Sequence, residues 1–325
     1  MVRDGTVSGD MYGDRIYHDR VSFAQGAAGA GLNFVKKDTD VWYVDSGKTG
    51  PASSGDGTTW DKAFLTLKEA VTASGDYDTI LVAPNSIQTI ASGGIVITQI
   101  GLRILGANGS SRRQSAALKM IAGTDPMFTI TADRVEIAGL NLSCRVAYPV
   151  ICIGSVTLGV GTAVYSTWIH DNNIDGAGTG TFGVAMGGAG GFGVATQCDA
   201  VQTVIEHNDF GQFATACVVV SGSRMSVLNN SFNVVVDTIG VSVVETAGNR
   251  QYWSVNDNYF TGIANSSTHG IAFAGNTTLG SGTVMNNLFV GSWDTTVDNN
   301  TGDVGCMNYT GTAAGGTLLD FNTSA

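Results

Sequence analysis

Charge is scarce in this chain of 325 residues: Asp, Glu, Lys and Arg together make up 13 % of it, with 27 acidic against 16 basic side chains. No lysine follows Lys119, and the only arginines beyond Arg145 are Arg224 and Arg250. A net charge of −11 so distributed excludes a nucleic-acid partner, whose phosphates demand clustered cations. A polyuronate would find equally little attraction along the C-terminal half. Long apolar runs are missing too: no stretch approaches 18 consecutive apolar residues, which excludes a membrane-spanning helix. The opening "MVRDGTVSGDMYGDR" has no apolar segment of the signal-peptide kind, so the expectation is synthesis in the cytoplasm without a secretory signal.

Cysteine is sparse and unpatterned. Cys144, Cys152, Cys198, Cys217 and Cys306 show neither CxxC nor zinc spacing. Cys152 in "VICIG" and Cys217 in "ACVVV" read as small core residues. No disulfide, metal or cofactor is expected. Asp56 and Asp61 in "SSGDGTTWD" lack EF-hand spacing, and "GKT" at 47–49 is no phosphate loop because Trp42 stands where that motif needs its first glycine.

What is abundant is glycine, 45 residues, and one recurring motif. "WIHDNNIDG", "VIEHNDFGQ", "VLNNSFNVV", "SVNDNYFTG" and "VMNNLFVGS" each carry an aliphatic residue, an asparagine three positions later and an apolar residue two beyond that. The leading aliphatics, Ile169, Ile205, Val227, Val255 and Val284, are spaced by 36, 22, 28 and 29 residues. Looser copies are anchored at Leu105 and Ala138, with Asn108 and Asn141 at the asparagine position. A fixed motif at variable spacing describes a solenoid whose rungs carry loops of different length. A second strand-like run follows each full copy: "FGVAM", "ACVVV", "IGVSV", "GIAFA" and "GCMNY". Two strands and a sharp turn per rung, with a third strand implied, make a parallel β-helix.

Stacked rungs place Asn172, Asn208, Asn230, Asn258 and Asn287 above one another as a structural ladder. Asparagine tolerates the left-handed backbone of a tight corner, and its amide reaches the amide of the next rung. Ile174, Phe210, Phe232, Phe260 and Phe289 then point inward and stack. Ahead of the rungs, "DKAFLTLKEAVTASG" sets Phe64, Leu67, Ala70 and Val71 on one face of a helix near 61–74, stopped at Gly75. Residues 1–40 show no lasting periodicity and read as an extended arm. The β-helix runs over 41–310, and 311–325 form a tail or end cover, with "TLLDF" at 317–321 expected over the open end.

The segment 41–84 with the asparagine ladder resembles the N-terminal cap and coil of pectin-lyase-fold proteins. The resemblance covers roughly 41–310. It implies an all-β, right-handed parallel β-helix with a short capping helix. It also implies a choice, because that fold serves polysaccharide lyases and hydrolases as well as bacteriophage tailspikes and other virion proteins. Lyases of the fold use acidic calcium ligands with a cationic base, and hydrolases use aspartates often set as an Asp-Asp pair. This sequence contains no Asp-Asp or Asp-Glu pair, and only Arg224 and Arg250 as late cationic candidates.

One polar constellation remains. The rung register places His170 beside Glu206, Asp171 beside His207, and Asn173 beside Asp209. If the chain is an enzyme, His170, Asp171, Glu206, His207 and Asp209 are the candidate acid–base groups, in a groove lined by Trp168, Tyr252 and Trp253. The balance is against catalysis. The expectation is a bacteriophage virion protein, an exterior capsid decoration or fibre-like protein gripping capsid or other virion proteins through residues 1–40. A homo-oligomer, a trimer by preference, is expected, with a surface glycan as a further partner and neither nucleic acid nor membrane. The alternative is a tailspike or free polysaccharide-degrading enzyme.

Overall fold

The computed structural model describes residues 39–48, 55–84, 86–90, 93–107, 116–154, 163–176, 182–186, 200–220, 223–234, 238–245, 252–262, 269–275, 281–291, 293, 295–298, 304–312 and 315–319. Of the arm assigned to 1–40, only Thr39 and Asp40 fall among them; Asn108, Cys198 and most of the tail 311–325 lie outside.

Three columns of parallel strands make the coil. The first runs through Val41–Val44, Thr79–Val82, Arg103–Gly106, Glu136–Ala138, Trp168–His170, Val204–Glu206, Met225–Leu228 and Tyr252–Asn256 to the first half of Ser281–Gly291. The second begins at Ile87–Ile90 and passes through Ala116–Met120, Leu140–Cys144, Asn173–Asp175, Asp209–Phe210, Ser231–Val234 and Tyr259–Gly262 to the second half of that long strand. The third is a separate sheet of eight strands from Ile95–Ile97 to Thr295–Asp298.

Period-two alternation sends one set of side chains inward in every rung. Ile80, Ile104, Ile137, Ile169, Ile205, Val227, Val255 and Val284 stack in register along the first face, all fully buried. On the second face Leu118, Leu142, Ile174, Phe210, Phe232, Phe260 and Phe289 do the same. The phenylalanine rings stack at centroid separations of 4.9, 4.6 and 4.7 Å. Cys152 and Cys217 are buried, and burial pushes the Cys217 thiol far up, as befits a core residue.

The capping helix is shorter than the 61–74 reading. A 3-10 turn, Trp60–Lys62, precedes an α-helix, Leu67–Ala73. Phe64 lies between them in extended backbone, because its N–H and C=O are taken by Tyr43 and Asp45 in a bridge to the first strand. Thr66 and Glu69 form a reciprocal capping box, and the last cap is Ser74 rather than Gly75. Leu67, Ala70 and Val71 are buried against the first rungs. Gln88, which occupies the base of the phenylalanine column, accepts the Leu67 N–H at 2.7 Å and ties helix to coil.

At the other end, "GCMNY" does not continue the third sheet. It lies in Val304–Thr312, which pairs with Ser281–Gly291 across both of the first two columns, while Thr295–Asp298 closes the third. Gly315–Leu319 then turns back antiparallel onto Val304–Thr312.

Candidate functional site

Two corners position the outward side chains of the first column. At the entry corner Tyr77, Arg134, Ser166, Gln202 and Arg224 all have positive φ, with Gly101 in the same series. At the exit corner the left-handed residues are Asp171, His207, Asn229, Asp257 and Asn286. Each is the residue before the ladder asparagine, which corrects the expectation that the ladder asparagine itself takes that backbone. The ladder residue is instead buried, between 0 and 2 % exposed, and used entirely for hydrogen bonding.

Its bonding repeats from rung to rung. Asn208 Oδ1 accepts the Asn172 backbone N–H at 3.0 Å and the Asn172 side-chain amide at 3.1 Å. Asn230, Asn258 and Asn287 do the same for the rung below each. Every side-chain amide also donates to a carbonyl of the preceding rung, from Ile137 to Val255. The ladder begins at Asn172, whose Oδ1 accepts the Leu140 N–H at 3.0 Å. Leu140 thus holds the position below it, and Gly139, with φ +70, holds the left-handed one. The early copy is therefore anchored at Ile137 rather than Ala138, and Asn141 sits under Asn173, joined to it at 3.1 Å.

The structure places His170 beside Glu206 and Asn173 beside Asp209 in adjacent strands, while Asp171 and His207 occupy equivalent corner positions. Contacts among these residues are narrower than adjacency implies. His170 Nδ1 lies 2.7 Å from Asp171 Oδ2, and its Nε2 lies 3.0 Å from Glu136 Oε1 in the rung below. Glu136 also accepts from Arg103 Nε at 2.6 Å. Glu206 accepts the Trp168 indole N–H at 2.8 Å and stands 3.8 Å from His207 Nδ1. The Trp168 and His170 rings stack at 3.8 Å.

Glu136 and Arg103 were not among the expected site residues. Aligning "LRILG" and "VEIAG" with "STWIH" on their isoleucines, Ile104, Ile137 and Ile169, is the signal that finds them. Burial works against the Glu136 carboxylate, but hydrogen bonds from His170 and Arg103, with their charges, outweigh it and hold the group down at about 2. Burial likewise disfavours the His170 imidazolium, yet hydrogen bonds to Glu136 and Asp171 and their charges raise it above the usual histidine range. The result is an ion-paired chain, Arg103–Glu136–His170–Asp171, with both imidazole nitrogens committed.

Of the aromatics expected to line a groove, Trp168 and Tyr252 face outward, but Trp253 is 5 % exposed and points into the core against Gly282. On the second face a cleft of about 490 Å³ is lined by Asn173, Asp175, Asp209, Gln212, Ser231 and Asn233. Asp209 stands in it, apart from the His170 network. Among the described residues no group of three or more His, Cys, Asp or Glu could hold a metal ion, so the acidic calcium set that the resemblance implies for lyases finds no match there. Among them, too, no helix is long and apolar enough to cross a membrane.

No protein-family model matches the chain, and no curated protein matches it. Among solved structures it is similar to the pectate lyase Pel9A, at 12 % identity and a TM-score of 0.50, over 78 % of this chain and 70 % of that one. It is also similar to an alginate lyase from Paenibacillus sp. str. FPU-7, at 15 % identity and a TM-score of 0.41, over 73 % of this chain and 95 % of the other. The fold is the right-handed parallel β-helix seen in the pectate lyase.

Proposed function

We propose that this chain is a structural protein of a bacteriophage virion, on the particle's exterior and attached to capsid or other virion proteins through residues 1–40. It acts as a capsid decoration or fibre-like element and is assembled as a homo-oligomer, with a trimer favoured. The observation that carries this reading is how the polar rungs are used. The constellation richest in imidazole and carboxylate is spent on holding rungs together, with Glu136 clamped between Arg103 and His170 and Glu206 bonded to Trp168. Groups so engaged serve architecture better than proton transfer, which needs one partner available to substrate. An attachment arm would gain affinity by ordering against neighbouring subunits.

The test is the solution mass by light scattering, with and without residues 1–40. An oligomer, or an assembly that depends on the arm, is the expected result. A monomer indifferent to the arm overturns it.

A second reading, a tailspike or free polysaccharide-degrading enzyme, is favoured by the cleft that holds Asp175 and Asp209 and by the likeness of fold to a pectate lyase. It requires that the wild-type chain cleave a polysaccharide and that Glu206→Gln or Asp209→Asn abolish the cleavage. The virion reading expects no cleavage by the wild type and unchanged assembly in both variants.

A further inference from the structure

We infer that the second-face cleft is a binding site for a neutral oligosaccharide. The inference deepens the particle-surface reading by naming the ligand class that the surface would meet, but it has its own test.

The cleft is built from short strands whose outward residues fall in register: Asn173 beside Asp209, Asp209 beside Ser231, and Ser231 beside Tyr259. Its lining combines two carboxylates, the amides of Asn173, Gln212 and Asn233, and the Ser231 hydroxyl. Amides both donate and accept, and each carboxylate offers several lone-pair directions. Such a set suits a ligand carrying many hydroxyls, each a donor and an acceptor. Gly211 shapes the floor: a Cβ there would fall 2.6 Å from Asp175 Oδ1, so the missing side chain lets the carboxylate lie over the strand. The Gln212 backbone N–H donates to that same oxygen at 3.2 Å and holds it in place.

A second feature points the same way. Tyr259, 42 % exposed, follows Ser231 in the outward row, and Leu288, 37 % exposed, follows Tyr259. From Asp209 to Tyr259 is two rungs, roughly 9–10 Å at strand spacing, within reach of neighbouring units of one chain molecule. An aromatic ring with a polar tip beside a polar cleft matches a sugar, which presents hydroxyl edges and an apolar C–H face.

Charge selects the class. Among the described residues the lining holds two carboxylates and no cation, and past Arg145 the sequence has only Arg224 and Arg250 to supply any. An acidic sugar would be repelled and left without a counter-charge. Neutral units meet neither penalty.

Affinity electrophoresis of the full chain in native gels tests this, with dextran, galactomannan or xyloglucan in the matrix and polygalacturonate as the anionic comparison. Retardation in at least one neutral gel, and none in polygalacturonate, is expected. Asp209→Ala and Tyr259→Ala should each weaken it about five-fold or more, the worth of one hydrogen bond or stacking contact. Both positions face outward, and unchanged thermal melts confirm that the variants fold; Asp209→Asn serves if Asp209→Ala does not. Retardation by polygalacturonate, by none of the neutral polymers, or equally in wild type and variants overturns the inference. Because the full chain is used whatever its mass, failure here is separate from failure of the arm-dependent assembly.

Discussion

Asn208 holds Asn172 by two hydrogen bonds to a single oxygen: its Oδ1 takes the Asn172 backbone N–H at 3.0 Å and the Asn172 side-chain amide at 3.1 Å. The same oxygen-to-neighbour link recurs up to Asn287. Removing a middle member strands groups on both sides. In Asn230→Ala the Asn208 N–H loses its acceptor and the Ile205 carbonyl loses a donor, all within buried surroundings. At about 1–3 kcal/mol for a buried group left unsatisfied, the expected loss is about 3 kcal/mol. Denaturant unfolding followed by circular dichroism measures it. Asn230→Asp should cost a similar amount, because a carboxylate keeps the acceptor but loses the donor and buries a charge.

Gly282 is the second point of dependence. A Cβ built there would lie 2.2 Å from the Trp253 ring, in the adjacent strand and register. Overpacking of this kind typically costs about 1–3 kcal/mol, and Gly282→Ala should show it together with a change in tryptophan emission. Trp253→Leu in the same chain makes room, so the double variant should be more stable than the sum of the two single losses predicts. Simple additivity would show that the ring does not press on Gly282.

Much of the coil was legible because its determinants are local and repeat. An aliphatic residue, an asparagine and an inward apolar residue at fixed offsets, phenylalanine in four of the five and Ile174 in the first, set rung, corner and core in five successive turns. Legibility failed where a rung keeps the shape with different residues. Gly139 and Leu140 make the corner below Asn172 without any asparagine, so in the sequence Asn141 stands in for the ladder residue and the register slips by one. That slip hid Glu136 and Arg103, although His170, Glu206, Asn173 and Asp209 were paired correctly from the full copies. The left-handed residue was misplaced for a related reason. Asparagine fits both corner roles, and only the geometry shows that the buried one bonds while its predecessor bends. Trp253 sat in an outward-looking series by composition, yet its alternation with Tyr252 sends it inward.

The Arg103–Glu136–His170–Asp171 chain makes stability depend on pH in a defined direction. Glu136 is lowered from 4.5 to about 2, so its contribution is present above pH 4.5 and is lost as pH falls through about 2. His170 is raised above 6.5, so its contribution is present below pH 6.5 and is lost as pH rises through the folded value. Both operate between pH 4.5 and 6.5. The stability difference between wild type and His170→Gln should therefore be largest in that window and shrink on the alkaline side. For Glu136→Gln it should shrink on the acid side as well. Thermal melts of the three proteins from pH 2 to 9 measure this, and a difference that grows above pH 7 would contradict the assignment.

The corner preceding the ladder yields a prediction of opposite sign. His207 holds a left-handed backbone at φ +54, a conformation that costs a non-glycine residue about 1–2 kcal/mol. Its side chain is exposed, and its 3.8 Å approach to Glu206 is a surface contact of small worth. His207→Gly relieves the strain and gives up only that contact, less a part returned as extra freedom of the unfolded chain. The expected outcome is a gain of up to about 1 kcal/mol, read as a higher denaturant midpoint at unchanged slope. Asn208→Gly, one residue along, should instead destabilise by about 3 kcal/mol through the lost ladder bonds. Two glycine substitutions in neighbouring positions thus move stability in opposite directions, and equal losses at both would mean that the bend and the bonding are not divided between them.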